Sequence, residues 1–275
     1  MILKKRWRKK TIRSSFSAYG KGIKMNEQII LKQIEECVRS CGEIILNADR
    51  TACMVDAKAG EANFVTTYDK KVQEVLQEKL LKILPEATFV GEEEDIHASI
   101  EKGYAFIVDP IDGTTNFIKD YHTSAISVGL TKDGEQYMGV VYQPYLNEMF
   151  TAIKGQGAYL NGKQIHVSKE PLSNGIVLFG TAPYYHELNR SSFELAYEYF
   201  QKALDVRRSG SAAIDLCTIA AGRAELFFEL RLSPWDYAAG ALIVKEAGGK
   251  VTTVEGNEIT LETPCSVKAW NGVCE

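Results

Sequence analysis

Two aspartates three residues apart, Asp109 and Asp112, have the residue type and spacing best suited to chemistry in this chain. They follow the apolar run Tyr104–Val108, which predicts a short buried strand. Gly113, Thr114 and Thr115 come next, and residues of this kind often begin a helix. Carboxylates bind hard cations such as Mg²⁺, and free N–H groups at a helix start bind phosphate. The run therefore predicts metal-assisted phosphate chemistry.

An Asp-x-x-Asp-Gly run can also belong to a calcium loop, a phosphatase nucleophile motif or a plain turn. An EF-hand calcium loop is excluded, because its acidic residues alternate and it ends in a glutamate at position twelve. The nucleophilic motif of aspartyl phosphatases is excluded because Pro110 occupies the place of the nucleophile. A plain turn with a helix cap remains open. The run thus needs partners elsewhere in the chain before it indicates a metal site.

Three candidate partners also lie at the ends of predicted elements. Glu92 belongs to an acidic cluster directly after the strand-like run Thr88–Val90. Asp236 follows another strand-like run and begins a helical pattern. Asp69 begins a helical stretch that ends before Pro85. A site built from these carboxylates requires the elements that carry them to meet at one edge of the fold.

Three separated motifs make the chain resemble the inositol monophosphatase family of Mg²⁺-dependent, lithium-sensitive phosphatases. They are Gly91-Glu92-Glu93, the run Asp109–Phe117, and Trp235-Asp236 followed two residues later by Ala-Ala-Gly. They occur in the family's order and at similar separations, over a likeness that extends from about Met25 to about Val267. Together they are far more specific than any one of them.

The resemblance implies a role for each matching residue around two or three Mg²⁺ ions. The implied metal ligands are Glu92, Asp109, the backbone carbonyl of Ile111, Asp112 and Asp236. The implied catalytic pair, which orients and deprotonates the attacking water, is Asp69 and Thr114. Two metals can stabilise both the attacking and the leaving oxygen, and can make hydroxide available near neutral pH. Activity is therefore expected to depend strictly on the cation.

The family's substrate contacts also carry over by resemblance. The implied phosphate-binding residues are Gly113, Thr114 and Thr115. The implied substrate-binding residues are Asp112, Gly210, Ser211, Ala212, Glu229 and Asp236. Lys58 resembles a lysine that tunes the charge of the active site.

Some further features invite functional interpretations. The segment 157–164 nearly matches a phosphate-binding loop, but Gln164 replaces the required hydroxyl residue and Asn161-Gly162 predicts a hairpin turn. Arg207-Arg208 is either a solvated pair or a contact for an anionic ligand, and Arg231 is a candidate contact for a second phosphate. The four histidines show no metal-ligand spacing.

Cysteine usage and hydropathy predict a cytoplasmic enzyme. The six cysteines form no Cys-x-x-Cys pair and are interpreted as reduced thiols. No apolar stretch reaches membrane-spanning length and no secretory core precedes a cleavage site. No membrane partner is therefore expected.

Charge is distributed unevenly along the 275 residues. Residues 1–24 contain nine of the 32 basic residues and no acidic one, which leaves 23 basic against 36 acidic in the rest. That acidic balance argues against a nucleic-acid partner for the main body. The basic segment has the composition of a nucleic-acid arm or a transit peptide, but we interpret it as a dispensable tail preceding Met25. After about Trp270 the chain stops where relatives continue into a final helix.

Hydrophobic periodicity predicts a mixed α/β protein. Helices are predicted over Asn26–Asn47, Asp69–Leu84, Ser191–Lys202, Ala212–Ala221 and Asp236–Ala247. Strands are predicted at Thr88–Val90, Tyr104–Val108, Ser124–Leu130, Tyr137–Gln143, Glu148–Ile153, Ile176–Gly180 and Glu225–Leu230. The resemblance implies an α-β-α-β-α layered sandwich of the inositol monophosphatase and fructose-1,6-bisphosphatase type, and a homodimer. Residues 25–275 are expected to form one catalytic domain, whose half up to about residue 160 carries the metal cluster.

The favoured activity is hydrolysis of a small phosphorylated alcohol, with inositol 1-phosphate as the first candidate. Fructose-1,6-bisphosphatase, NADP phosphatase and histidinol-phosphatase activities remain open, because the family shares one metal core among them. The branch that removes nucleotide 3′-phosphates is disfavoured, since it usually carries Lys-Glu-Phe after the first threonine. A second class is a regulatory protein, because some bacterial relatives join RNA-polymerase antitermination complexes.

Overall fold

The fold is taken from a computed structural model that describes residues 26–49, 55–57, 64–93 and 99–274. The basic segment 1–24 and Lys58 lie outside the described residues. Within the described ranges no helix is both long and apolar enough to cross a membrane. The five cysteines described there are all free thiols, as the sequence predicts for them.

The described residues form six α-helices. They are α1 (Glu27–Leu46), α2 (Thr67–Ile83), α3 (Thr114–Ile118), α4 (Asn189–Phe200), α5 (Ala212–Ala220) and α6 (Pro234–Glu246). Asn26 caps α1 by accepting a hydrogen bond from the Ile29 backbone N–H, and Thr66 caps α2. Pro85 stands just beyond the end of α2, because proline cannot continue a helix. Each predicted helix is present, with ends that differ by at most two residues.

The described strands form a two-stranded, a seven-stranded and a five-stranded sheet. They are β1 (Val55–Ala57), β2 (Phe64–Thr66), β3 (Thr88–Gly91), β4 (Tyr104–Asp112), β5 (Ala125–Lys132), β6 (Glu135–Gln143), β7 (Glu148–Ile153), β8 (Ala158–Leu160), β9 (Lys163–Ile165), β10 (Ile176–Phe179), β11 (Asp205–Arg207), β12 (Leu226–Leu232), β13 (Lys250–Thr252) and β14 (Cys265–Trp270). The larger sheet runs in sequence order from β3 to β9, and the smaller has the order β11-β10-β12-β14-β13. The predicted hairpin at Asn161-Gly162 joins β8 to β9.

Three apolar clusters show how the layers stack. Helices α1 and α2 pack on one face of the seven-stranded sheet. Helices α5 and α6 fill the space between its other face and the five-stranded sheet. Helix α4 covers the far side of the five-stranded sheet. The predicted α-β-α-β-α sandwich is therefore confirmed.

The central helix α6 lies unusually close to the larger sheet. A Cβ added to Gly139 on β6 would come within 2.7 Å of the Ala239 carbonyl oxygen of α6. Only glycine permits such an approach, because any side chain there would meet backbone. The Ser127 hydroxyl on β5 also donates a hydrogen bond to the Trp235 carbonyl at 3.3 Å. These contacts hold the start of α6 beside the end of β4.

Candidate active site

The end of β4 carries Asp109 and Asp112 into the site on a β-bulge. The register with β5 shifts between Asp109, opposite Ser127, and Asp112, opposite Ala125. Pro110 has no N–H to give to the ladder, so a break in pairing there is expected. The Asp109 Oδ1 atom accepts a hydrogen bond from the Ile111 N–H at 2.9 Å. The strand therefore extends four residues beyond the predicted Val108, and its distorted end brings both carboxylates within 4.8 Å of each other.

Asp236 joins these two residues from the first turn of α6. Ser233 and Asp236 form a capping box, in which Asp236 Oδ2 accepts the Ser233 N–H at 2.7 Å. Carboxylate oxygens of Asp109, Asp112 and Asp236 all lie within 4.8 Å of one another. The structure therefore brings together aspartates from two motifs that lie more than one hundred residues apart in the sequence.

Glu92 lies next to this group but outside its 4.8 Å limit. It follows β3, which pairs in parallel with β4, and its N–H donates to the Val108 carbonyl at 3.1 Å. Its negative charge contributes to raising the pKa values of Asp109, Asp112 and Asp236. Glu92 therefore lies within electrostatic range of the three aspartates.

Burial and mutual repulsion make the three aspartates hard to ionise. Burial, and then the charges of neighbouring carboxylates, hold the pKa values of Asp109 and Asp236 well above the ordinary range. Burial also raises the pKa of Asp112 to about 6, although hydrogen bonds from Ser211 and Ala213 oppose the rise. None of the three aspartates forms an ion pair with another described residue.

The three aspartates offer only oxygen ligands, lie close together and form no ion pair with a described residue. These properties fit a hard divalent cation. Mg²⁺ prefers carboxylate and water ligands, and a divalent ion would remove the repulsion that raises these pKa values. The residues present therefore fit the magnesium site implied by the sequence. Acidic groups gathered in this way carry a large electrostatic cost unless a cation neutralises them.

Asp69 and Thr114 meet at the edge of the carboxylate group. Thr66 N donates to Asp69 Oδ2 at 2.8 Å, and the Thr66 hydroxyl bonds to the same oxygen, so Asp69 is fixed by the capping box of α2. Thr114 Oγ1 lies 3.3 Å from Asp69 Oδ1 and 3.2 Å from the Ile111 carbonyl oxygen. Both side chains are buried, and they can pass a proton between hydroxyl and carboxylate.

Gly113 opens helix α3 in a conformation that requires glycine. Its φ of +89° lies in the left-handed region, and a Cβ there would lie 3.0 Å from the Thr123 carbonyl oxygen. No side chain caps α3, so its first N–H groups stay available for an anion. Thr114 is buried, whereas Thr115 is exposed, so the two predicted phosphate-binding threonines differ in environment.

The turn before α5 supplies part of the predicted substrate wall. Ser211 Oγ donates to Asp112 Oδ2 at 2.5 Å, and the Ala213 N–H donates to the same oxygen at 2.7 Å. Ser211 also caps α5 by accepting the Ile214 N–H. Ser211 and Ala213 thus orient a carboxylate of the metal group, a role that the sequence did not reveal.

Glu229 forms the opposite side of the wall from strand β12. Its Oε1 atom accepts the Ala182 N–H at 2.8 Å, and its carboxylate packs directly on Gly180. Burial raises the pKa of Glu229 to about 7, with a smaller contribution from the charge of Asp112. Glu229 and Asp112 are therefore buried within electrostatic range of each other.

Comparisons with known proteins show the family of this chain. A model of the Inositol monophosphatase family matches residues 26–274. This chain belongs to the inositol monophosphatase family. It is 38% identical to Nus factor SuhB of Salmonella typhimurium over 220 residues, which cover 79% of this chain and 82% of that protein. It is 39% identical to Inositol monophosphatase 2 of Solanum lycopersicum over 234 residues, which cover 82% and 88% of the two proteins.

A solved structure of a similar protein shows the same fold. The extragenic suppressor protein suhB of Bartonella henselae is 31% identical, with a TM-score of 0.83 over 89% of this chain and 95% of that chain. The family to which this chain belongs is one of phosphatases.

Asp215 is a buried acidic residue near the carboxylate group that the sequence analysis did not single out. Its carboxyl is buried in the first turn of α5, and burial holds its pKa well above the ordinary range. A hydrogen bond with Ser209 opposes that rise, whereas the charges of Glu229 and Asp112 add to it. One acidic residue within the otherwise apolar run Ala212–Ala220 was the available signal.

The arginines predicted to meet anions have different surroundings. Arg231 stacks over the Tyr185 ring, with its guanidinium carbon 4.4 Å from the ring centroid. Arg207 is exposed and pairs with Asp205 at 2.6 Å, as expected for a solvated residue. Arg208 lowers the pKa values of Asp215 and Glu229 by its charge, so it lies close to the substrate wall.

Removing the Ser211 hydroxyl should lower the stability of this inositol monophosphatase family member and weaken Mg²⁺ binding by its carboxylate cluster. Ser211→Ala deletes a helix cap and a hydrogen bond to a buried carboxylate, so the free energy of unfolding should fall by about 1–2 kcal/mol. The pKa of Asp112 should rise, which weakens Mg²⁺ binding at neutral pH. Urea unfolding with and without Mg²⁺ measures both effects. Ser211→Thr, which keeps the hydroxyl, should retain most of the stability, and equal losses in both variants would contradict this role.

Proposed function

We propose that this protein is a Mg²⁺-dependent phosphomonoesterase that hydrolyses a small phosphorylated alcohol, with inositol 1-phosphate as its favoured substrate. The observation that carries the proposal is the convergence of Asp109, Asp112 and Asp236 beside the start of α3 and the Asp69–Thr114 pair. This arrangement supports a cation site, a phosphate-binding helix start and a proton acceptor that act together.

Each part of the cleft has a proposed task. Glu92, Asp109, the Ile111 carbonyl, Asp112 and Asp236 would hold the divalent ions. When bound, those ions supply positive charge that stabilises the charge developing on the phosphoryl group. The N–H groups of Gly113, Thr114 and Thr115 orient the phosphate. The Thr114 hydroxyl positions the attacking water, and Asp69 accepts the proton that passes through that hydroxyl.

The alcohol part of the substrate is proposed to contact Gly210, Ala212 and Glu229. A buried carboxylate held by a backbone N–H is a suitable acceptor for a substrate hydroxyl, which favours a polyol over an apolar alcohol. The relative named Inositol monophosphatase 2 supports inositol 1-phosphate as the first choice. Fructose 1,6-bisphosphate, NADP and histidinol phosphate are alternatives. The acidic balance outside residues 1–24 supports a small-molecule partner over nucleic acid, and the free thiols support a cytoplasmic location.

We also propose a homodimer. Helix α4 exposes three large aromatic side chains at helical spacing, Phe193, Tyr197 and Phe200, which are 57%, 64% and 46% exposed. Leu204, four residues beyond the end of α4, is 66% exposed. An apolar surface of this kind is typical of a protein contact. Because relatives include Nus factor SuhB, a regulatory partner for the same surface is the second candidate.

The proposed activity predicts Mg²⁺-dependent phosphate release by the purified protein. The substrate panel contains inositol 1-phosphate, fructose 1,6-bisphosphate, NADP, histidinol phosphate and adenosine 3′,5′-bisphosphate. We expect the highest kcat/KM for inositol 1-phosphate, loss of release with EDTA and inhibition by Li⁺. An Asp112→Asn preparation controls for contaminating phosphatases. Absence of release from folded, Mg²⁺-bound protein would overturn the enzymatic proposal and favour the regulatory one.

A further inference from the structure

We propose that Asn116 is a positioning residue. Its side-chain amide holds the turn 209–211 against the start of α3. It thereby sets the distance between the part of the site that binds phosphate and the part that binds the alcohol. The inference rests on the proposed function for what the two parts bind. The hydrogen bonds that carry it are independent of that function.

The Asn116 amide nitrogen joins the two halves of the protein. Its Nδ2 atom donates to the Thr123 carbonyl at 2.7 Å and to the Ser209 carbonyl at 3.0 Å. Thr123 leads into β5 of the seven-stranded sheet, whereas Ser209 follows β11 of the five-stranded sheet. One half-buried side chain therefore ties together backbone segments that belong to different layers.

The turn that Asn116 holds also orients Asp112. Two residues beyond Ser209, the Ser211 hydroxyl donates to the Asp112 carboxylate, and the Ala213 N–H donates to the same oxygen. Asn116 thus holds the turn 209–211, and Asp112 holds the start of α5. The Ser209 hydroxyl also bonds within the turn, to the N–H and the carbonyl of Ser211. The Asn116 amide adds a bond that ties the Ser209 carbonyl, and with it the Gly210 part of the predicted substrate wall, to the other half of the protein.

Close packing at this junction leaves little room for an altered side chain. A Cβ on Gly113 would lie 3.2 Å from the Gly210 carbonyl oxygen, and a Cβ on Gly210 would lie 3.1 Å from Asn116 Nδ2. A primary amide offers two N–H donors from one nitrogen, which matches two carbonyl acceptors. A carboxylate of the same shape offers none and would be repelled by both carbonyls.

Substrates that depend differently on the two parts of the site provide the kinetic test. Inositol 1-phosphate must bind the phosphate contacts and the alcohol contacts at the same time. p-Nitrophenyl phosphate has no alcohol hydroxyls and so does not depend on the alcohol contacts. Small displacements of positioned groups cost up to about 100-fold in rate. We therefore expect Asn116→Ala and the isosteric Asn116→Asp to lower kcat/KM for inositol 1-phosphate at least about tenfold, mainly through KM. For p-nitrophenyl phosphate we expect a change of no more than about threefold.

Hydrogen exchange tests the positioning role without any substrate or metal. In the full-length, metal-free protein, the backbone amides of residues 209–214 should exchange at least about tenfold faster in both Asn116 variants than in the wild type. Asn174→Ala is the matched control, because its exposed amide bonds only to Glu170 at 3.2 Å among the described residues. It should leave exchange in that segment unchanged.

The two experiments separate this inference from the proposed function. Unchanged exchange in the Asn116 variants would overturn the positioning role, even if the protein is an active phosphatase. Equal losses of kcat/KM for both substrates would also overturn it, because a general structural defect affects both. Faster exchange in a protein that hydrolyses no substrate would support the positioning role and reject the phosphatase proposal.

Discussion

Asp112→Asn is expected to abolish turnover and, in the absence of metal, to make the protein more stable. A carboxylate oxygen of Asp112 lies within 4.8 Å of those of Asp109 and Asp236, and its Oδ2 atom is already held by Ser211 and Ala213. Asparagine keeps the shape and one acceptor oxygen, but it removes the charge that a divalent ion requires. Loss of several kcal/mol of charge stabilisation in the transition state corresponds to a fall in kcat of about 10³-fold or more.

The same substitution should stabilise the metal-free protein because it removes a charge that burial and neighbouring carboxylates disfavour. Urea unfolding in EDTA should therefore show a higher free energy of unfolding for Asp112→Asn than for the wild type at pH 8. Adding Mg²⁺ should stabilise the wild type and leave the variant nearly unchanged. Phosphate-release assays on the same preparations connect the loss of activity to the loss of metal binding.

A matched control uses an aspartate outside the cluster. Asp120 is exposed and pairs with His122 at 3.0 Å, so Asp120→Asn should retain near-normal activity and the wild-type response to Mg²⁺. Near-normal turnover by Asp112→Asn would reject its assignment as a metal ligand. A lower stability of that variant in EDTA would reject the repulsion argument.

The long elements were predicted well because each contains many apolar residues between clear end signals. Helix α6 and strand β7, both buried on all sides, were found within two residues of their predicted ends. The strands β11 and β13 were missed, since three residues are too few to show an alternating pattern. Strand β14 was also missed, because its burial is irregular. Short strands are defined mainly by their neighbours in the sheet.

In the site, too, local motifs identified residues, whereas contacts between distant parts of the chain could not be predicted. The sequence motifs identified Asp109, Asp112 and Asp236, whose convergence then followed from the layered fold. Motif spacing carried no information about Asn116 and Ser209, which are 93 residues apart and meet through a backbone carbonyl. Nor could it show that the Ala182 N–H holds Glu229, because every residue except proline carries such a donor.

Metal-free protein is expected to lose stability as the pH rises from about 4.5 to 8. Burial raises the pKa of Asp112 from 3.8 to about 6, and that of Glu229 from 4.5 to about 7. A carboxyl with a raised pKa in the folded state binds its proton more tightly there than in the unfolded chain. Its contribution to stability is therefore complete below the unfolded pKa and is lost as the pH passes through the folded pKa. The two groups together should lower the free energy of unfolding by a few kcal/mol.

Mg²⁺ should oppose this pH dependence, because the cation binds the ionised carboxylates and not the protonated ones. Urea unfolding at pH 5, 6, 7 and 8, in EDTA and in saturating Mg²⁺, measures the two profiles. Glu229→Gln should flatten the EDTA profile between about pH 6 and 8, since its amide does not titrate. Exposed carboxylates paired with lysine or arginine, such as Glu78, Glu135 and Asp205, have lowered pKa values and so affect stability only at more acid pH. Two results would contradict this inference: a free energy of unfolding in EDTA that is constant from pH 5 to 8, or a pH dependence that Mg²⁺ does not change. Either would show that the buried carboxylates do not form a cluster neutralised by metal.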